Sequence, residues 1–211
     1  MSYKHDVFLS YSCDYPFGDW VKEPFLPLFR GLLKGAINHE PDIFIDNSID
    51  SGNAWNEKLK NALAHSRCLV GIWSPHYFLS EWCKSECAVM LHRESIFNCR
   101  SIDKPEGLIV PVSVQDGDKF PEYAKDIQYK NWQNFARTGK GFNDSPSFID
   151  FQDTMFDWIE EVARAIENAP DWNRNWKESN WFETTVPSWS EYSKIKMVEA
   201  EKSVFSPPSL A

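Results

Sequence analysis

Glu86 stands one helical turn after Trp82 in the stretch SEWCKSEC that begins at Ser80, so the two side chains share a helix face. Cys83, Cys87, Met90 and Leu91 form the neighbouring apolar stripe, which should meet a sheet. Glu86 then falls at the border between core and water, where a carboxylate is partly desolvated and its aim and protonation are set by its neighbours. The plain alternative is a solvated helix edge. A second stretch, HDVFLSYSCD from His5, is an apolar strand that ends in Ser10, Tyr11 and Ser12. These hydroxyls either donate to a ligand at the strand mouth or cap the strand and the helix that follows.

Other chemistries lack their residues. The chain has no G-x-G-x-x-G, no H-E-x-x-H and no paired C-x-x-C, and Gly139-Lys140-Gly141 lacks the flanking Gly and Ser/Thr of a phosphate loop. Cys83, Cys87 and His92 could be drawn as a metal site, but the two cysteines continue the apolar stripe. No metal and no cofactor are therefore expected.

The elements that must carry these residues follow from periodicity. Strands are predicted at 6–11, 42–46, 67–73 and 107–114, and helices at 25–37, 54–65, 80–94 and 148–168. Trp55, Leu59, Ala62 and Leu63 give the second helix its stripe, and Met155, Ile159, Val162 and Ile166 give the last one theirs. Strands apolar on both faces and separated by helices predict an α/β chain with a parallel sheet of about five strands, covered by helices on both faces in three flavodoxin-like layers. Ligands of such sheets lie outside the carboxyl ends of the strands, which is where Ser10, Tyr11 and Ser12 fall.

With 211 residues, 42% of them hydrophobic, the chain is long enough for one real core, predicted over 1–169. Beyond it, 170–211 is a Trp-rich extension in which Trp172, Trp176, Trp181 and Trp189 either wrap back onto the domain or dock a partner. A net charge of -9 without a basic cluster argues against direct nucleic-acid binding. No apolar run approaches the roughly 20 residues that span a bilayer, so no membrane partner is expected. The first residues lead into a strand rather than a signal core, and the five cysteines read as free thiols; a cytoplasmic location is expected.

In order and spacing, HDVFLSY, the stretch FIDNSIDSG from Phe44 and WCKSE from Trp82 resemble the TIR (Toll/interleukin-1 receptor) domain, with the Trp-Cys-x-x-Glu form of its plant and bacterial members. The similarity covers about 4–168. Ser12 departs from it, because several members carry Arg there. The resemblance implies an NAD nucleosidase of the bacterial immune type that splits the nicotinamide–ribose bond to ADP-ribose, a cyclised product or a conjugate made by transfer of ADP-ribose to another acceptor, in antiviral (anti-phage) defence or signalling. It implies NAD as substrate, Glu86 as the catalytic carboxylate with Trp82 beside it, Ser10, Tyr11 and Ser12 as hydroxyl donors, and Trp55 and Trp82 as faces for nicotinamide or adenine. It also implies self-association through TIR surfaces and the loop from Asn47 to Asn53, and a partner sensor or effector protein. The alternatives are a non-catalytic TIR–TIR scaffold and a phosphoacceptor receiver. The receiver needs an Asp at the end of the third strand, which instead runs Ile72-Trp73-Ser74-Pro75.

Overall fold

A computed structural model of the chain describes residues 2–45, 53–102 and 107–177. Five parallel strands, β1 (His5–Tyr11), β2 (Ile43–Ile45), β3 (Ser66–Trp73), β4 (Ile109–Ser113) and β5 (Lys130–Asn131), pair in the order β2-β1-β3-β4-β5. Between and after them run α1 (Phe17–Trp20), α2 (Leu26–Ile37), α3 (Asn53–Ala64), α4 (Glu81–Ile96), α5 (Glu122–Lys125), α6 (Lys140–Asn143) and α7 (Pro146–Glu167). This is the flavodoxin-like arrangement anticipated from the sequence. Its strand order reverses at β1 and β3, and sheets of this kind bind ligands in a crevice outside the carboxyl ends of the strands at such a point.

The two-residue period of the strands builds two cores. Val7, Leu9 and Tyr11 of β1 join Val70, Ile72 and Val112 under α2 and α7, against Phe29, Met155, Trp158 and Val162. On the other face Phe8, Leu69, Trp73 and Ile109 meet α3 and α4 through Leu59, Leu63, Cys87 and Met90. Ser10 interrupts that second series. It is buried, and it lies in register with Gly71 of β3.

Two elements differ from their sequence outlines. Helical backbone begins at Phe17 rather than residue 25, because Pro24 sits inside a wider π turn (Val21–Phe25) that runs into α2. A proline has no N–H to give and its ring crowds the preceding turn; widening that turn accommodates both. Asn38, at φ 57°, then ends α2 in the left-handed conformation. β5 has only two residues, both exposed, so it carries no alternation to read.

At the amino end of the sheet, Glu94 of α4 is buried and accepts from Arg100 Nε at 2.8 Å and from the backbone N–H groups of Leu108 and Ile109. The carboxylate thus holds the approach to β4 against α4. Nearby, Trp172 stacks on His65 and donates from Nε1 to the Ala64 carbonyl at 3.1 Å, while the buried Arg93 guanidinium lies 4.1 Å from the Trp176 ring. Trp172 and Trp176 therefore pack on the domain; Trp181 and Trp189 lie outside the described residues. Removing one member of a buried ion pair strands the other. We expect Glu94→Ala to lower the unfolding free energy by about 3 kcal/mol, read by urea titration, with a smaller loss for Arg100→Ala, in which the Leu108 and Ile109 N–H groups still hold the carboxylate.

Candidate active site

The alternation of β1 decides which hydroxyls meet Glu86. Ser10 faces α4 and donates from Oγ to Glu86 Oε2 at 2.6 Å, across 76 residues of sequence. A second contact, 2.8 Å, joins Ser10 Oγ to the hydroxyl of Tyr77, which lies in the short 3-10 turn Tyr77–Leu79 ahead of α4. The helix begins at Ser80, whose side chain accepts from Cys83 N–H as an N-cap, and this fixes the register that turns Cys83, Glu86 and Cys87 inward. Glu86 is only 9% exposed.

Gly71 makes room for the indole of Trp73. A Cβ there would stand 2.6 Å from Trp73 Nε1, so the indole folds back over the glycine, beside Ser10 on the same sheet face. Trp73 is fully buried among Tyr77, Phe78, Phe120 and Tyr129, and its stack backs the ring of Tyr77.

The remaining anticipated residues are distributed differently. Tyr11 points to the opposite face of the sheet, into the core under α2 and α7. Ser12 bonds Asp14 Oδ2 at 2.7 Å and forms a local turn. Trp82 follows at the start of α4, 42% exposed, with Leu79 and Tyr15 also exposed. Trp55 lies in the first turn of α3, and its side chain is outside the described residues, as is the loop from Asn47 up to α3. Among the described residues no cluster of His, Cys, Asp and Glu is suited to a metal ion.

Tyr77, Gly71 and Trp73 were not anticipated. An aromatic in a short turn looks like core filling, and the contact of Tyr77 with Ser10 exists only once β1 and the turn before α4 are brought together. A cavity of about 280 Å³ lies instead along the amino-terminal half of β4, lined by Arg100, Val110, Pro111, Glu161 and Arg164 among others. Two of its charges are already engaged, Arg100 by Glu94 and the Ile109 carbonyl, and Glu161 by Lys130 at 2.9 Å.

Burial dominates the electrostatics of the Glu86 neighbourhood. The Tyr77 phenol is pushed well above its ordinary 10.0 by burial first, then by the surrounding Cys87, Cys83 and Glu86. The Cys83 thiol is raised from 9.0 to about 12, again by burial and next by Glu86, and the Cys87 thiol also rises. Tyrosine and thiols alike are neutral donors at physiological pH.

Comparison with known proteins matches residues 7–144 to the TIR domain family model. A probable disease resistance protein of Arabidopsis thaliana, RPP1, is 24% identical over 181 residues, 79% of this chain. The chain spans only 14% of that protein's length. Among solved structures, the TIR domain of the Toll-related receptor TRR-2 of Hydra magnipapillata is 15% identical with a TM-score of 0.47, covering 78% of this chain and 100% of that one. The TIR domains of the activated Roq1 resistosome, which directly recognises the pathogen effector XopQ, are 21% identical with a TM-score of 0.36, covering 79% of this chain and 86% of that one.

The raised thiol and phenol values have a definite sign. The folded chain keeps protons that the unfolded chain gives up, so the stabilisation from Cys83 is complete below pH 9.0 and is lost as pH rises through about 12. We expect a thermal midpoint that is level from about pH 7 to 9 and falls above it, followed by circular dichroism. Iodoacetamide at neutral pH should alkylate the exposed Cys13 and spare Cys83 and Cys87.

Proposed function

The chain belongs to the TIR domain family, and from that premise we propose that it is an NAD nucleosidase that breaks the nicotinamide–ribose bond with Glu86 as its catalytic carboxylate. The observation that carries this reading is the position of Glu86, nearly buried at the carboxyl ends of β1 and β3 and bonded to Ser10 at 2.6 Å. An acid held there meets a ligand in the crevice while its charge is little screened by water.

The chemistry asks little else of the protein. Nicotinamide in NAD is a cationic leaving group and departs neutral without a proton donor, so one carboxylate does the work that ordinary glycosidases divide between two. As the bond to C1′ breaks, its electron pair leaves with the nicotinamide nitrogen and the ribose becomes oxocarbenium-like. The negative charge of Glu86 stabilises that cation through the ribose hydroxyls in a water-poor site. Water then adds at C1′ and gives up a proton to solvent, leaving ADP-ribose, or a nitrogen or oxygen of the adenosine half adds, with any hydroxyl proton likewise lost to solvent, to give a cyclic product. Trp82, which is 42% exposed, offers a face for a planar base.

Under the same proposal the chain works in cytoplasmic immune or antiviral signalling. Self-association completes the pocket through the loop from Asn47 to Asn53, and a sensor or effector partner triggers it. No helix among the described residues is long and apolar enough to cross a membrane. The exposed Tyr15, Leu79 and Trp82 favour a second reading, a docking scaffold without turnover.

Chromatography of nicotinamide and adenine products from concentrated protein and NAD separates the two. We expect release whose rate per protomer rises with protein concentration. Glu86→Gln should lower it about a thousandfold while the thermal midpoint stays within about 4 °C. No release from the wild-type chain at any concentration would establish the scaffold instead.

A further inference from the structure

We propose that Tyr77 is a positioning residue that aims the Glu86 carboxylate through the hydroxyl of Ser10, an inference that rests on Glu86 being the acid that meets the substrate. The argument is one of proton count. Ser10 Oγ lies 2.6 Å from Glu86 Oε2 and 2.8 Å from the Tyr77 hydroxyl, and it has a single hydrogen. An ionised carboxylate only accepts, so that hydrogen lies on the bond to Glu86. The Tyr77 hydroxyl must then be the donor to Ser10. Its burial holds the phenol in its neutral, donating form.

The chain of bonds therefore has one direction, from Tyr77 to Ser10 to Glu86. Reversing it requires a protonated Glu86 and turns the Tyr77 proton away from Ser10, inside a fully buried site. The relay thus favours the carboxylate form over the acid and fixes Oε2. Donation from Tyr77 also polarises the Ser10 hydroxyl and strengthens its bond to the carboxylate. Tyr77 is itself held by Trp73, whose ring lies over Gly71, so its hydroxyl is set by packing. Among the described residues, the titratable groups that act on Tyr77 and Cys83 include Cys87 and Glu86, together with Cys13 from the segment after β1, which acts on Cys83.

The test follows the Glu86 carboxyl signal by NMR in protein isotope-labelled at the glutamate side-chain carboxyl, assigned with Glu86→Gln and titrated with acid. In Tyr77→Phe the midpoint of Glu86 should move to higher pH than in the wild type. In the same variant kcat for nicotinamide release should fall about ten- to a hundredfold with KM little changed. Combined with Ser10→Ala, Tyr77→Phe should cost no more than about a further twofold, since its route to Glu86 is already gone. Ser10→Ala alone should raise the midpoint at least as much, which keeps the test open if Tyr77→Phe fails to fold. An unmoved midpoint in a folded Tyr77→Phe, or equal losses in both backgrounds, would overturn the aiming role. If the midpoint moves as stated but the wild type releases no nicotinamide, the aiming role stands and the enzymatic reading falls.

Discussion

One hydrogen bond ties the chemistry to the fold, the contact between Ser10 at the end of β1 and Glu86 on α4, separated by 76 residues. It forms only if β1 takes the register that turns Ser10 rather than Tyr11 toward α4. A slip of one residue would put a phenol where the hydroxyl is and send Ser10 to the other core. The alternation of Val7, Leu9 and Tyr11 under α2 and α7, with Phe8 on the opposite face, forbids that slip, because all of these side chains would change faces together. The packing that stabilises the sheet thereby aims the acid.

The same helix carries a second buried carboxylate, and the contrast is instructive. Glu94 is met by a guanidinium and two backbone N–H groups, a set that consumes its lone pairs and pins the chain before β4. Glu86, two turns earlier and at the opposite end of the sheet, is met on Oε2 by an uncharged hydroxyl. Burial alone therefore does not mark a reactive acid. On the proposed reading, the end of the strands at which a carboxylate sits separates the structural acid from the chemical one.

Much of this was legible in the sequence because periodicity reports burial directly. Four strands, the inward turn of Cys83, Cys87 and Met90, and the border position of Glu86 were readable from spacing. β5 was not, since two exposed residues have no pattern, and the early start of the helix at Phe17 was hidden by Pro24. Within the site, Ser10 was readable as a hydroxyl at a strand mouth, but its separation from Tyr11 and Ser12 was not. That separation depends on the side of the sheet to which each residue points and on the local turn from Ser12 to Asp14. Tyr77 was invisible because its role comes from a tertiary contact with no local spacing rule.

The central claim is that Glu86, held on Oε2 by Ser10, meets the ribose of NAD. A crystal structure of the concentrated protein with a non-hydrolysable carbocyclic NAD analogue measures this directly. The account predicts the nicotinamide-side ring in the crevice at the carboxyl ends of β1 and β3, its hydroxyls within hydrogen-bond distance of the Glu86 carboxylate and Ser10 still on Oε2. An analogue bound elsewhere on the domain, or a Glu86 side chain swung out into water with the Ser10 contact broken, would contradict it.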